Sequence, residues 1–238
     1  RFVQYETSMM RIAWKPYWCL GFILFLIFSG CGERQPPVDE LVVQAEELLD
    51  AGQIENAILI LEKSQERAPE RVDVLEALAF AYAAKGDPML ASMTFLRISE
   101  LVPQRPEYRL YAAETLLNAG DPKGAVAQYT SYLEVRPEDR PVWVTLADLY
   151  ISQGRLNEAL DALLAAEQIE ARSQQRIAIG ELYLRTGNLA QAQAWFARSL
   201  EGDSDYRDEA LLGLLETAIR SKRFADGEAL LAQLDGEY

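Results

Sequence analysis

The stretch that decides the fold is residues 72–105, which reads VDVLEALAFAYAAKGDPMLASMTFLRISELVPQR. Apolar side chains recur in it every three or four residues, in one run before Gly86 and a second run after Pro88, and this is the spacing of one helix face. The order Gly86-Asp87-Pro88, which returns as Gly120-Asp121-Pro122, suits a left-handed helix end, the N-cap of the next helix and its first helical position. The stretch therefore predicts two helices joined by a tight turn. The two apolar stripes are Leu75, Leu78, Ala79 and Tyr82, followed by Ala91, Phe95 and Ile98.

The same unit returns along the chain at a nearly constant step. Gly52, Gly86, Gly120 and Gly154 are equally spaced, and Gly187 follows one position sooner than that step. Self-similarity at such a period, roughly 34 residues, is typical of a solenoid, in which each unit buries its apolar faces against its neighbours. Other residues keep the same step: Ala57, Ala91, Ala125, Ala159 and Ala192, and Pro69, Pro103 and Pro137.

These residues and their period resemble the tetratricopeptide repeat. The resemblance implies an all-α fold, a right-handed superhelical solenoid of six helix-turn-helix repeats. The pattern lapses at Ser64, at Arg109, where an aromatic residue is usual, and at Lys222, where glycine is usual. A second unit with the pattern has Trp143, Leu146, Ala147, Tyr150, Gly154 and Ala159. The expected repeats cover about residues 38–71, 72–105, 106–139, 140–172, 173–207 and 208–238.

The resemblance also implies where a partner would bind. The first helices of the repeats line a concave face, and their second, fifth, ninth and twelfth positions point into a groove. The ninth position is acidic in all repeats but the second: Glu46, Phe80, Glu114, Asp148, Glu181 and Glu216. The fifth position is aliphatic in all but the second, which has Glu76: Val42, Leu110, Val144, Ile177 and Leu212.

An acidic row beside aliphatic side chains favours one kind of ligand. A segment carrying lysine or arginine beside apolar residues would relieve the repulsion between the acids and bury the aliphatic side chains. We therefore expect basic amphipathic segments of other proteins as partners, with Phe80 as an aromatic anchor. The alternative is a solvated helix face whose apolar positions serve packing between repeats, with Phe80 partly packed.

Composition argues against several other functions. The chain has 37 acidic and 23 basic residues among 238, a net charge of -14, so it offers no basic field for nucleic acid. It contains no histidine, only two cysteines, Cys19 and Cys31, and no glycine-rich phosphate loop after a strand. Its carboxylates are expected on exposed helix faces, where nothing desolvates them. We expect no metal, no cofactor and no catalysis, with an unusual serine or carboxylate site as the enzyme alternative.

Residues 1–31 have the layout of a secretory signal peptide. A short basic stretch from Arg11 to Lys15 precedes an almost wholly apolar run from Trp18 to Phe28. This run has about half of the roughly 20 residues that a membrane-spanning helix needs. Translation is expected to start at Met9 or Met10, which would make residues 1–8 an upstream extension or a misassigned start.

The tetrad Phe28-Ser29-Gly30-Cys31 resembles the lipobox of bacterial lipoproteins, although Phe28 stands where leucine is usual. The resemblance implies cleavage before Cys31 and acylation of that cysteine, for example with palmitate, and Gly32 after it favours the outer membrane. Residues 32–37 would then form a tether of at most about 20 Å, at roughly 3.4 Å per residue. The alternative is an uncleaved N-terminal anchor in the inner membrane.

Together these features predict a scaffold for protein–protein interaction, lipid-anchored in the bacterial cell envelope on the periplasmic side of the outer membrane. Its expected partners are other envelope proteins. A lipobox followed by six such repeats also resembles the small lipoproteins that assist assembly of a type IV pilus secretin. An adaptor for peptidoglycan enzymes, or an accessory of outer-membrane assembly, would look much the same. The sequence alone leaves these roles open.

Overall fold

The computed structural model describes residues 35–201 and 204–235. This part of the chain forms twelve α-helices and one short 3₁₀ helix, Ser204–Tyr206, and contains no β-strand. The expected all-α solenoid is confirmed. The helices are α1 Val38–Asp50, α2 Ile54–Arg67, α3 Val72–Lys85, α4 Pro88–Leu101, α5 Glu107–Asn118, α6 Pro122–Leu133, α7 Arg140–Ser152, α8 Leu156–Ile169, α9 Ser173–Arg185, α10 Leu189–Ser199, α11 Arg207–Arg220 and α12 Phe224–Asp235.

Consecutive helices pack as hairpins, α1 with α2 through to α11 with α12, and each hairpin packs on the next. The first helices of successive hairpins lie side by side. Tyr108 on α5 donates a hydrogen bond of 2.9 Å to a carboxylate oxygen of Glu76 on α3, and Arg220 on α11 donates one of 3.3 Å to the carbonyl of Leu184 on α9. The first helices thus form one continuous surface of the solenoid, and the second helices lie behind them.

The five repeating glycines all adopt the left-handed conformation that the sequence predicts. Their φ angles lie between 71° at Gly52 and 87° at Gly86. At Gly120, the glycine N–H donates to the carbonyl of Leu117 at 2.9 Å and the Asp121 N–H donates to that of Leu116 at 2.8 Å. These two bonds form a Schellman motif, which satisfies the last free carbonyls of the preceding helix.

The sixth hairpin forms the same turn without a glycine. Lys222 has φ = 59°, the one positive value on a residue other than glycine in the described part of the chain. The bonding is unchanged, because the Arg223 N–H donates to the Ala218 carbonyl at 2.8 Å and the Lys222 N–H to that of Ile219 at 3.0 Å. A side chain in this conformation costs about 1–2 kcal/mol, so the last turn stores strain that the other five lack.

These turns give a reciprocal prediction. Lys222→Gly should raise the free energy of unfolding by about 1 kcal/mol, and Gly120→Val should lower it by more than that, because valine tolerates positive φ poorly. A Cβ at Gly120 meets no atom within 4 Å. The loss of stability in Gly120→Val would therefore come from the backbone conformation rather than from a steric clash at the Cβ. Urea unfolding followed by circular dichroism measures both. The neutral control is Ala127→Gln, an exposed position on α6 where both residues favour a helix. A stabilised Gly120→Val variant would contradict the assignment of the turns.

Only one of the two predicted aspartate caps makes its hydrogen bond. Pro88 and Pro122 begin α4 and α6 as expected. The Asp121 carboxylate accepts from the Gly124 N–H at 2.9 Å, whereas Asp87 makes no capping bond and instead pairs with the Lys85 ammonium at 2.9 Å. The cap prediction is confirmed at Asp121 and wrong at Asp87, where the cation on the preceding helix takes the carboxylate.

The hydrophobic core is a linear series of four clusters along the solenoid. The first lies among α1 to α5, the second among α5 to α7, the third among α7 to α10 and the fourth among α9 to α11. The described residues therefore supply their own core. Burying such side chains contributes about 25 cal/mol per Å² of apolar surface removed from water.

The lapses in the repeat are absorbed locally. Ser64 is fully buried, and its hydroxyl donates to the Ile60 carbonyl at 2.8 Å within α2. In the third hairpin the aromatic side chain is supplied one residue early, because Tyr108 rather than Arg109 fills the core and has no exposed surface. The Tyr108 ring lies 6.5 Å from that of Phe95, measured between centroids.

Two further glycines, distinct from the five at the turns, allow three helices to approach closely. Phe196 on α10 is 1% exposed and lies between Gly180 on α9 and Gly213 on α11. A Cβ built at Gly180 would lie 2.8 Å from the Phe196 ring, and one at Gly213 would lie closer still. Neither glycine has positive φ, so here the absence of a side chain matters for packing rather than for backbone conformation.

Several sequence predictions fall outside the described residues. The signal peptide, Cys31 and the first part of the 32–37 tether lie before residue 35. Among the helices that the structure does describe, none is long and apolar enough to cross a membrane.

Candidate partner-binding groove

The predicted acidic row lies on the surface formed by the first helices. Its acids come one from each of α1, α5, α7, α9 and α11, and all are exposed. Phe80 on α3 completes the row and is 45% exposed. The row is made of Glu46, Phe80, Glu114, Asp148, Glu181 and Glu216.

The three central carboxyls of the row are partly desolvated. Burial raises the pKa of the Glu114 carboxyl and that of Asp148, with no cation in the described part of the chain lowering either. Burial also raises the pKa of Glu181, with a further increase from Glu216 and a partial opposing effect of Arg185. The sequence predicted carboxylates that nothing desolvates, and this was wrong, because neighbouring helices remove part of the water around them.

Cations partly neutralise the C-terminal end of the row. Arg220 lies one helical turn after Glu216 on α11, and its guanidinium is 2.6 Å from the Glu216 carboxylate. Arg185 lies near Glu181. Among the described residues no such cation lowers the pKa of Glu114 or Asp148, so an incoming cation meets uncompensated negative charge in the middle of the solenoid.

Phe80 belongs to an aromatic cluster that fixes its orientation. Its ring meets those of Phe95 and Tyr111 edge-on, with centroids 5.1 Å and 5.6 Å away. Phe95 is 1% exposed and belongs to the core. Phe80 is thus partly packed, as the alternative from the sequence has it, and nearly half of its surface remains exposed. Its role as an aromatic anchor stays a prediction. The contribution of Tyr111 was missed, because it follows from the packing of α3 against α5.

The aliphatic positions divide into exposed and buried side chains. Leu212 is 54% exposed, and Leu110 and Val144 are half-buried, so these three have surface to offer a ligand. Val42 and Ile177 are 7% and 8% exposed, so they pack between helices and have little surface left. The aliphatic row is therefore continuous only in the third and fourth hairpins, beside Glu114 and Asp148.

The acid row is spread over several helices rather than gathered at one point. Among the described residues, no group of three or more aspartate, glutamate, cysteine or histidine side chains is arranged to hold a metal ion. The three carboxyls whose pKa is raised lie in a row on separate helices. Such a row can attract a cationic segment over several helices.

The comparisons with known proteins agree with this architecture. Residues 116–178 and residues 176–206 each match a sequence model of the tetratricopeptide repeat. In this part of the chain the sequence is therefore similar to that of tetratricopeptide repeats, a module whose fold suits protein–protein interaction.

Two curated relatives contain the same repeat. The TPR repeat-containing protein YpiA of Bacillus subtilis (strain 168) is 25% identical over 169 residues, which are 71% of this chain and 40% of that protein. The Tetratricopeptide repeat protein 30 homolog of Caenorhabditis elegans is 35% identical over 80 residues, 34% of this chain and 12% of that protein. The chain thus spans less than half the length of either relative.

Solved structures share the fold. Naa15, in the structure of Naa15/Naa10 bound to HypK-THB, superposes with a TM-score of 0.68 at 16% identity, covering 83% of this chain and 31% of that one. MamA superposes with a TM-score of 0.57 at 17% identity, covering 72% of this chain and 94% of MamA. At these identities the likeness establishes a helical-repeat solenoid and no more.

Proposed function

We propose that this protein is a membrane-tethered scaffold of the bacterial cell envelope, and that its groove binds basic amphipathic segments of other envelope proteins. The observation that carries the proposal is the run of partly desolvated acids at Glu114, Asp148 and Glu181. Partial desolvation destabilises these carboxylates in their charged form. A cation bound beside them would stabilise the charged form again. Leu110 lies on the same helix as Glu114 and Val144 on the same helix as Asp148, and both supply apolar contact.

The placement in the envelope is supported by the sequence alone. The signal peptide and the lipobox at Cys31 would anchor the chain in the outer membrane on its periplasmic side. Assisting assembly of a type IV pilus secretin, or adapting peptidoglycan enzymes, are two more specific versions of the same scaffold. Mass spectrometry of the mature protein tests the anchor, because a lipoprotein begins at an acylated Cys31 and an uncleaved anchor does not.

A peptide-binding experiment tests the groove. A fluorescent helical peptide that repeats lysine beside leucine should bind the protein, and fluorescence anisotropy should show that binding weakens as salt is added. The control is the same peptide with glutamate in place of lysine, which should not bind. Equal binding of both peptides, or of neither, would remove the electrostatic basis of the proposal.

The acid row also predicts a pH dependence. Affinity for the lysine peptide should fall between about pH 7 and about pH 5, because carboxyls with raised pKa take up protons earlier than ordinary ones, and protonation removes the charge that attracts lysine. Isothermal titration calorimetry at both pH values measures this. The variant with Glu114→Gln, Asp148→Asn and Glu181→Gln should bind the lysine peptide weakly, and its affinity should be the same at both pH values.

The unliganded protein should respond to acid in the opposite sense. A carboxyl whose pKa is higher in the folded than in the unfolded state binds protons more readily when folded, so its contribution to stability rises as the pH falls through that range. The melting temperature of the wild type relative to the neutral triple variant should therefore increase between about pH 7 and about pH 5. A decrease would contradict the desolvation of the row.

A further inference from the structure

The outer face of the solenoid carries an exposed apolar patch on its first two hairpins. Leu59 on α2 is 53% exposed and Met93 on α4 is 60% exposed. They are one full repeat step apart, like Gly52 and Gly86, and therefore hold the same position in successive repeats. Met89 and Leu90, one turn earlier on α4, are 50% and 43% exposed. We call Leu59, Met89, Leu90 and Met93 the outer patch.

The two outer helices that carry the patch are neighbours. A cleft of about 210 Å³ is lined by Gln65 of α2 together with Leu90, Met93 and Arg97 of α4. Leu90 and Met93 therefore border a cleft beside α2, and Leu59 lies outside that cleft on the exposed side of α2. Scattered single apolar residues are normal on proteins, but a contiguous group commonly marks a place of interaction.

The character of this face changes along the solenoid. The position of Leu59 and Met93 is occupied by the small Ala127 in the third hairpin and by Asp161 in the fourth, both exposed. One turn further along the helix, the first two hairpins carry exposed cations where the third and fourth carry small side chains. These equivalent residues are Lys63, Arg97, Ser131 and Ala165. A surface of large apolar side chains bordered by cations is thus confined to the first two of these four hairpins.

The N-terminal segment meets the fold on the same outer helix. Arg67 at the end of α2 donates a hydrogen bond of 2.7 Å to the carbonyl of Pro36. Gln35 and Pro36 lie in a cleft of about 470 Å³ with Lys63 and Glu66 of α2. Leu59 is two helical turns before Arg67, about 12 Å along the helix axis at roughly 1.5 Å per residue.

This geometry limits how far the patch can lie from an anchor. Cys31 precedes Gln35 by four residues, a span of at most about 14 Å at roughly 3.4 Å per residue. An acylated Cys31 would therefore hold the start of α1 and the end of α2 close to the lipid headgroups. The outer patch would meet the same surface at high effective concentration.

We propose that the outer patch is the membrane-facing surface of the protein, and that its apolar side chains enter the headgroup region of the bilayer. This rests on the membrane attachment in the proposed function and goes beyond it by fixing the orientation of the solenoid. Transfer of leucine and methionine side chains out of water is favourable, and Lys63 at the border of the patch can reach the lipid phosphates. Arg97 donates one hydrogen bond of 2.8 Å to the Pro69 carbonyl and has further N–H groups for a phosphate. Glu66 lies beside Lys63 and offsets part of this attraction.

The charge of the remaining chain supports the same orientation. The whole protein carries a net charge of -14, so most of its surface is repelled by anionic lipid. The acidic groove on the first helices would point away from the bilayer while the outer helices of the first two hairpins rest on it. A partner could then reach the groove without competing with the membrane.

Site-specific fluorescence tests this orientation without depending on acylation. Residues 32–238 contain no cysteine and include the complete described core. A hexahistidine tag at residue 32 attaches this fragment to phosphatidylcholine vesicles that contain a nickel-chelating lipid. A polarity-sensitive dye is placed on single cysteines, Met93→Cys or Leu59→Cys in the patch and Ala127→Cys at the equivalent control position.

We expect emission from positions 59 and 93 to shift to the blue on vesicles and to be quenched by spin-labelled lipid, with neither change at position 127. Without the nickel lipid, Leu59→Glu combined with Met93→Glu should weaken partition of the fragment into vesicles about tenfold, with its circular dichroism unchanged. Emission from positions 59 and 93 that remains that of an aqueous dye on tethered vesicles would overturn the proposal. The patch would then be a surface for protein.

The test separates the two ideas. The nickel lipid replaces the natural anchor, so a Cys31 that proves to be unacylated leaves the fluorescence result unchanged. Conversely, an acylated Cys31 combined with unresponsive dyes would preserve the tethered scaffold and remove the orientation alone.

Discussion

Gly213→Ala is expected to lower the free energy of unfolding by about 1–3 kcal/mol, although alanine favours helices over glycine by about 1 kcal/mol. Its Cβ would overlap the ring of Phe196, and the ring is buried between α9 and α11 with nowhere to move. Gly180→Ala meets the same ring from the other side, at 2.8 Å. The double variant should lose more than either single one, as measured by urea unfolding.

Gly227 provides a matched control for this effect. It is also a helical glycine, in α12, but a Cβ there would lie 3.5 Å from the nearest atom, Leu215 Cδ1, which is an ordinary contact. Gly227→Ala should therefore leave stability unchanged or raise it. Removing the ring with Phe196→Leu should cost less in the Gly213→Ala background than in the wild type, because the overlap is then relieved. Simple additivity would show that the ring and the glycine do not interact.

Reversing the charge of the acid row should abolish binding of the lysine peptide. Changing Glu114, Asp148 and Glu181 to lysine replaces attraction by repulsion at three consecutive first helices, and like charges across an interface cost several kcal/mol. A loss of more than about a hundredfold in affinity corresponds to about 2.8 kcal/mol. The helical circular dichroism should remain, because all three side chains are exposed.

The control for charge reversal must change the net charge by the same amount as the triple lysine variant of the acid row. Glu55, Glu100 and Asp161 are exposed acids on α2, α4 and α8, away from the first helices. Changing these three to lysine alters the total charge by the same amount, so it should reduce affinity only slightly at physiological salt, where the screening length is about 8 Å. A similar loss in both triple variants would mean that total charge attracts the peptide and that the groove has no special role.

Much of the fold could be predicted because the repeat encodes it locally. A glycine at a left-handed turn, a proline at a first helical position and apolar residues at helical spacing each act within a few residues. Because these signals return in each repeat, one correct hairpin predicts the others. Even Lys222 is recognisable in the sequence as a departure from glycine, and the turn that it forms keeps the shape of the others.

Features that depend on packing between hairpins could not be predicted from the repeat period of the sequence. Phe196, Gly180 and Gly213 lie on three different helices, so the residue spacing within any one helix does not predict their contact. Partial desolvation of the exposed acid row likewise arises from neighbouring helices, so the sequence alone indicates fully solvated carboxyls at Glu114 and Asp148. The cap prediction at Asp87 fails because a cation outside the turn motif, on the preceding helix, captures its carboxylate.

The four core clusters follow one another in a line, and this has a mechanical consequence. A molecule without a central core has no single point at which it must fail, so pulling on its ends spreads the extension over many small rotations between hairpins. It should act as a soft spring rather than as a rigid block. If the chain is tethered as proposed, such a spring could follow a moving partner that is bound in its groove.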